Sequence, residues 1–127
     1  MKYLLIILLT ISLSCRQKQN ETTVRIYSVD VDIETIFSIK CNDFLDTFDS
    51  TELKTKDVIE KSTVDDFQVK LKTLQLDSGK RDPDTRAIII LKNEVTTDTL
   101  CADRFTIKYR DKYYTMTVDL LKIIWSE

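Results

Sequence analysis

The sequence contains no histidine. Its absence removes the commonest general base, the commonest zinc ligand and every Ser-His or Cys-His nucleophile system. Gly79 is the only glycine and Pro83 the only proline. One glycine cannot write a phosphate-cradling loop, a dinucleotide-binding turn or a nucleophile elbow. A basic excess is missing too: the net charge is −2, which argues against nucleic acid as a partner. No enzyme, cofactor or metal centre is therefore expected. What the chain does have is an ordinary globular balance, 43% apolar and 31% charged residues, within a length that allows one domain.

The apolar residues open the chain. Met1-Lys2 gives a short positive start, and Tyr3 to Leu13 is an apolar run interrupted only by Thr10 and Ser12. As a helix this run reaches roughly 16 Å, about half a bilayer core, so it suits a secretory h-region and not a membrane span. Ser12-Leu13-Ser14-Cys15 follows, and Arg16 to Thr23 is wholly polar. Residues 1–15 resemble a bacterial lipoprotein signal of the looser, Bacteroidetes type, in which a serine precedes the cysteine after a leucine-isoleucine run. The resemblance implies cleavage after residue 14, lipid on Cys15 and a stable anchor, since two or three acyl chains hold where one does not. It also implies an outer-membrane site facing the periplasm, because Arg16 is not the aspartate of inner-membrane retention. Ser12-x-Ser14 equally suits ordinary signal peptidase, which would release a soluble secreted protein.

The expected organisation is a signal peptide over 1–14, a lipidated cysteine and polar tether over 15–23, and a single domain over 24–127. Thr22 to Val29 alternates as a strand. Residues 35–41 read as a second strand, followed by a helical turn from Asn42 that carries Phe44, Leu45 and Phe48 inward. Thr63 caps the clearest helix, whose stripe is Val64, Phe67, Leu71 and Leu74 and which runs out near Leu76. Residues 77–86 form a loop holding both the glycine and the proline. Ala87 to Leu91 reads as a strand buried on both faces. Thr99–Ala102 and Phe105–Tyr109 are further strands, and Arg110-Asp111-Lys112 turns into Tyr113-Tyr114-Thr115. Thr117 caps a last helix with Val118, Leu121, Ile124 and Trp125 on its buried side. The fold class is α+β: a small single domain, largely antiparallel sheet with two helices packed on one face.

Spending Cys15 on lipid leaves Cys41 and Cys101, an even pair in an oxidising compartment. A bond between them closes a long loop worth ~4 kcal/mol by chain entropy. The alternative is two buried free thiols.

Four constellations carry candidate chemistry. Asp30, Asp32 and Glu34 alternate and would share a face if the first strand continued, as a cation site, an acid-base pair or merely a solvated face. Asp77, Gly79, Asp82 and Asp84 share residue types with a calcium loop but lack its spacing, which leaves an exposed charged loop. Lys80 and Arg81 in that loop, with Arg104, Lys108, Arg110 and Lys112 among aromatics, are the candidate partner contacts. Asp49-Ser50-Thr51 and Asp98-Thr99-Leu100 look like short O-glycosylation triplets. Charge is uneven: residues 24–66 hold eleven acids against five bases, and 67–127 nine acids against eleven bases. Together these features lead to a non-enzymatic, envelope-anchored lipoprotein that binds another protein, in the manner of an inhibitor or immunity factor. A structural accessory subunit of an envelope complex is the alternative.

Overall fold

A computed structural model describes residues 21–126. The leader, Cys15 and the tether up to residue 20 lie outside the described residues.

Six strands form one antiparallel sheet: β1 (Thr23–Ser28), β2 (Lys54–Val58), β3 (Ala87–Lys92), β4 (Thr97–Ala102), β5 (Thr106–Tyr109) and β6 (Lys112–Thr115). Their order is β2-β1-β3-β4-β5-β6. Three helices accompany them: α1 (Phe44–Thr47), preceded by a 3-10 turn over Cys41–Asp43, α2 (Lys61–Lys72) and α3 (Val118–Trp125). The domain is α+β, as its patterning predicts.

Side chains alternate across a strand, so the register decides which residues share a face. One row runs Ile26–Ile89–Leu100 and a parallel one Ser28–Ala87–Ala102–Ile107. This face is the main core, closed by Val64, Phe67 and Leu71 of α2 and by Leu120 and Ile124 of α3. The opposite face carries Tyr27–Ile88–Cys101–Lys108–Tyr113. There a second, smaller core gathers Val29, Ile39, Phe44, Phe48 and Ile88. Ala87–Leu91 is thus covered on both sides, as its unbroken β-branched run implies.

Several local expectations change. Residues 35–41 form no strand. Their backbone is satisfied by a neighbouring loop: the Ile39 N–H donates to Asp84 Oδ1 (2.8 Å), and the Ile39 carbonyl accepts from Thr85 N (2.9 Å). Ile39 alone enters the core, while Ile36 and Phe37 stay outside. The second strand is instead Lys54–Val58. It shows no apolar alternation, because it is an edge strand with little to bury. Thr63 does not cap α2. Glu60 stands at the N-cap, and the Thr63 hydroxyl donates to Glu60 Oε2 (3.4 Å). The helix stops at Lys72, and Gln75–Asp77 crosses to seal the β6 edge, with Asp77 N donating to the Tyr113 carbonyl and Thr115 N to that of Gln75. Leu45 faces solvent, so α1 turns only Phe44 and Phe48 inward.

Thr117 does cap α3, accepting from Leu120 N (3.3 Å). The helix is rotated from the expected setting: Leu120 and Ile124, four residues apart, are buried, whereas Val118 is exposed. Its far end is held by the β2 edge. Lys56 Nζ donates to the carbonyls of Ile123 (2.7 Å) and Ser126 (2.8 Å), placing a cation at the negative end of the helix. Burial there pushes the Lys56 ammonium below its usual value. The hairpin β5–β6 turns through Arg110 and Asp111, both with φ near +50° (49° and 58°), the left-handed geometry that matches strand twist in a two-residue loop.

Candidate functional site

Cys41 precedes α1 on the second face, and Cys101 sits on β4 in the row beside Ile88. Their Cα atoms are 5.7 Å apart and the pair stands at disulfide distance. The pair places the segment around α1 against the middle of the sheet.

A polar network secures the same segment at its other side. Arg86 is only 6% exposed and forms a bidentate pair with Asp84 (2.9 and 2.8 Å). Its remaining donors reach the Ile33 carbonyl (3.2 Å) and Thr35 Oγ1 (3.0 Å). Asp103 extends the network, accepting from Asp84 N (3.0 Å) and from Phe105 N and Thr106 N (both 2.7 Å). Arg86, Asp84 and Asp103 are not legible as a unit in the sequence. The only available signal was an acid two residues before a base at a strand entrance.

Of the six cations singled out as partner contacts, three are held in ion pairs. Lys108 pairs with Asp82 (2.8 Å) and lies over the Tyr113 ring, 5.2 Å from its centroid. Arg110 pairs with Asp98 (2.8 Å) and covers the Tyr109 ring at 4.9 Å. Arg104 pairs with Asp32. Lys80 and Arg81 are exposed in loop 77–86, and Lys112 is exposed at the start of β6. The Lys108 and Arg110 bonds hold the Asp82 and Asp98 carboxyls below the ordinary carboxylate value, with Tyr113 and Tyr109 donating to the same two groups. Lys108 and Tyr113 thus tie the β5–β6 hairpin to loop 77–86, and Arg110 and Tyr109 tie it to β4.

The acidic candidates also separate. β1 ends at Ser28, so Asp30, Asp32 and Glu34 do not line a strand. Asp30 accepts from Asp32 N (2.9 Å) in a tight turn, and Asp32 reaches Arg104. In the loop, Asp77 accepts from Gly79 N, Asp82 serves Lys108 and Asp84 serves Arg86. Among the described residues no group of three or more Cys, Asp or Glu is placed to hold a metal ion. The Thr51 hydroxyl of the first triplet is bonded to Asp49 Oδ1 (2.6 Å), and Thr99 of the second lies within β4. No helix among the described residues is long and apolar enough to cross a membrane.

Two surface features remain. A groove of about 770 Å³ lies beside the start of β1, lined among others by Tyr27, Asp57, Ile59 and Ile90, with both acids and bases in its wall. At the opposite pole, where β1 ends and β3 begins, the loops present Ile36, Phe37 and Phe105, the two phenylalanines 68% and 69% exposed. The Arg104–Asp32 pair joins those loops. Compared with family models, curated proteins and solved structures, the chain matches none.

Proposed function

We propose that this chain is an envelope lipoprotein, held through lipid on Cys15 at the outer membrane and facing the periplasm, whose domain binds another protein as an inhibitor or immunity-type factor. The observation that supports binding is a group of three of its exposed apolar side chains. Ile36, Phe37 and Phe105 stand at one pole, and the tether enters β1 at the other. Six strand residues separate the two by about 20 Å. Adding a tether that extends to at most ~28 Å, an anchored domain would carry these side chains clear of the headgroups. Large apolar side chains on loop tips are a cost to solubility that a binding surface explains. The Cys41–Cys101 pair, read as a covalent staple, agrees with an oxidising compartment.

The test is made on the full chain in its own cells. Acyl labelling that disappears in Cys15→Ala establishes the anchor; labelling that persists removes it. A photo-crosslinker at Phe37 is expected to trap one protein of similar size class in every preparation. Co-purification with a large membrane assembly would overturn the inhibitor reading in favour of an accessory subunit.

A further inference from the structure

The geometry points to the Ile36–Phe37–Phe105 pole as the docking surface, and to a partner that offers an apolar pocket rimmed by lysine or arginine side chains. The inference rests on the protein-binding reading above and adds where contact is made and with what chemistry. Three observations carry it.

The first is rigidity. Ile36 and Phe37 are exposed, yet the turn that holds them is not loose. The Thr35 hydroxyl donates to the Phe37 carbonyl (2.8 Å) and itself accepts from Arg86, whose guanidinium is buried and bidentate on Asp84. Phe105 is fixed as well: its N–H donates to Asp103 Oδ1 and its carbonyl accepts from Met116 N (2.8 Å). Apolar side chains shown on a pre-ordered backbone lose little entropy on binding.

The second is spatial coherence. The Arg104–Asp32 ion pair bridges the loop that carries Phe37 to the one that carries Phe105, two segments far apart in sequence. Aromatic anchors grouped in this way are typical of the centre of a protein interface.

The third is charge. Asp30, Asp32 and Glu34 all lie in the loop leading to Ile36, and Arg104 answers only Asp32. An acidic collar on the Ile36–Phe37 side of the pole repels anionic lipid headgroups and attracts a cationic rim, giving steering and register. The control surfaces differ: Val69 on α2 and Val95 in the β3–β4 turn are exposed apolar residues away from this collar.

Defined probes test it with the full-length chain in detergent micelles. An amphipathic leucine-lysine peptide is expected to bind at least about tenfold more tightly than its leucine-glutamate counterpart. Phe37→Ser with Phe105→Ser should weaken that binding about tenfold, and Val69→Ser with Val95→Ser should leave it unchanged. Equal affinity for both peptides, or indifference to the phenylalanine changes, overturns the assignment. So does binding to phosphatidylethanolamine–phosphatidylglycerol vesicles that depends on the same phenylalanines, because it makes the pole a membrane contact. The replaced side chains are exposed, so folding is preserved, and an unchanged melting midpoint verifies it. In cells, crosslinkers at Phe37 and Phe105 are compared with crosslinkers at Ile59 and Val95. A protein trapped only by the latter pair removes this pole and leaves the protein-binding reading intact. No protein trapped at any of the four removes both.

Discussion

The two faces of the sheet are built from different materials. On one side, α2 and α3 close a dry core in which Phe67, Ile89, Leu100 and Leu120 are inaccessible to solvent. On the other, residues 29–53 contribute one four-residue helix and a small cluster around Phe44, and the rest of the attachment is polar or covalent. Cys41–Cys101 pins one part of this layer, and Asp84–Arg86 pins another. The difference shows what a short segment needs in order to lie flat on a sheet. Without enough apolar surface to hold itself, it relies on a hydrogen-bonded ion pair and on two cysteines set at disulfide distance. The same devices support the exposed loop that the docking inference uses.

Matched truncations give the largest expected contrast. Phe67→Ala should cost about 4–5 kcal/mol and Phe44→Ala about 3 kcal/mol, since the thinner layer can collapse onto its cavity. Denaturant midpoints measure both, and a larger loss at Phe44 would mean that the second layer is the dominant core.

Reduction of Cys41–Cys101 comes next, at about 4 kcal/mol for a closed loop of this length. Its signature is local. Amides over 33–48 should lose hydrogen-exchange protection first, while those of β3 facing α2 keep theirs. Uniform loss of protection would sink the two-layer picture.

Asp84→Ala should cost about 3 kcal/mol, because it strands the buried Arg86 guanidinium. Asp84→Ala with Arg86→Met removes both charges and should recover most of that loss. If the double variant is no better than the single one, the ion pair is not what anchors residues 33–39.

The smallest effect is acid sensitivity. Asp82, bonded by Lys108 and Tyr113, and Asp98, bonded by Arg110 and Tyr109, have folded-state values below the ordinary one. Their contribution is complete above the unfolded aspartate value of about 3.9 and is lost as pH falls through the lower folded values. Both pairs reach solvent, so the melting midpoint should fall only slightly in that window, and less in high salt. Lys108→Met should remove the larger share of Asp82's part of this slope, the Tyr113 bond keeping the rest, and leave the Asp98 part.

The dry face was legible from sequence wherever one period dominated. Val64, Phe67 and Leu71 repeat at helical spacing, Ala87–Leu91 is uninterrupted, and Thr117 caps its helix as its position suggests. The second face was not. Phe37, Ile39 and Cys41 alternate like a strand, but their segment has no free sheet edge beside it. It lies across the sheet, and Ile39 exchanges hydrogen bonds with Asp84 and Thr85. Strand β2 was invisible for the converse reason: an edge strand with little buried surface needs no apolar alternation.

The sequence by itself determined the α+β class, the helices of the main core and the availability of two cysteines for a bond. A side chain's periodicity reports whether it is buried, and burial is what chiefly holds these elements. Only the tertiary structure decided that residues 29–53 form a second layer, that Arg86 binds Asp84 beneath an exposed loop, and that three of the six basic candidates are drawn into separate ion pairs. Those outcomes depend on contacts between distant residues, such as Asp32 with Arg104 and Ile39 with Asp84, which leave no local pattern in the chain.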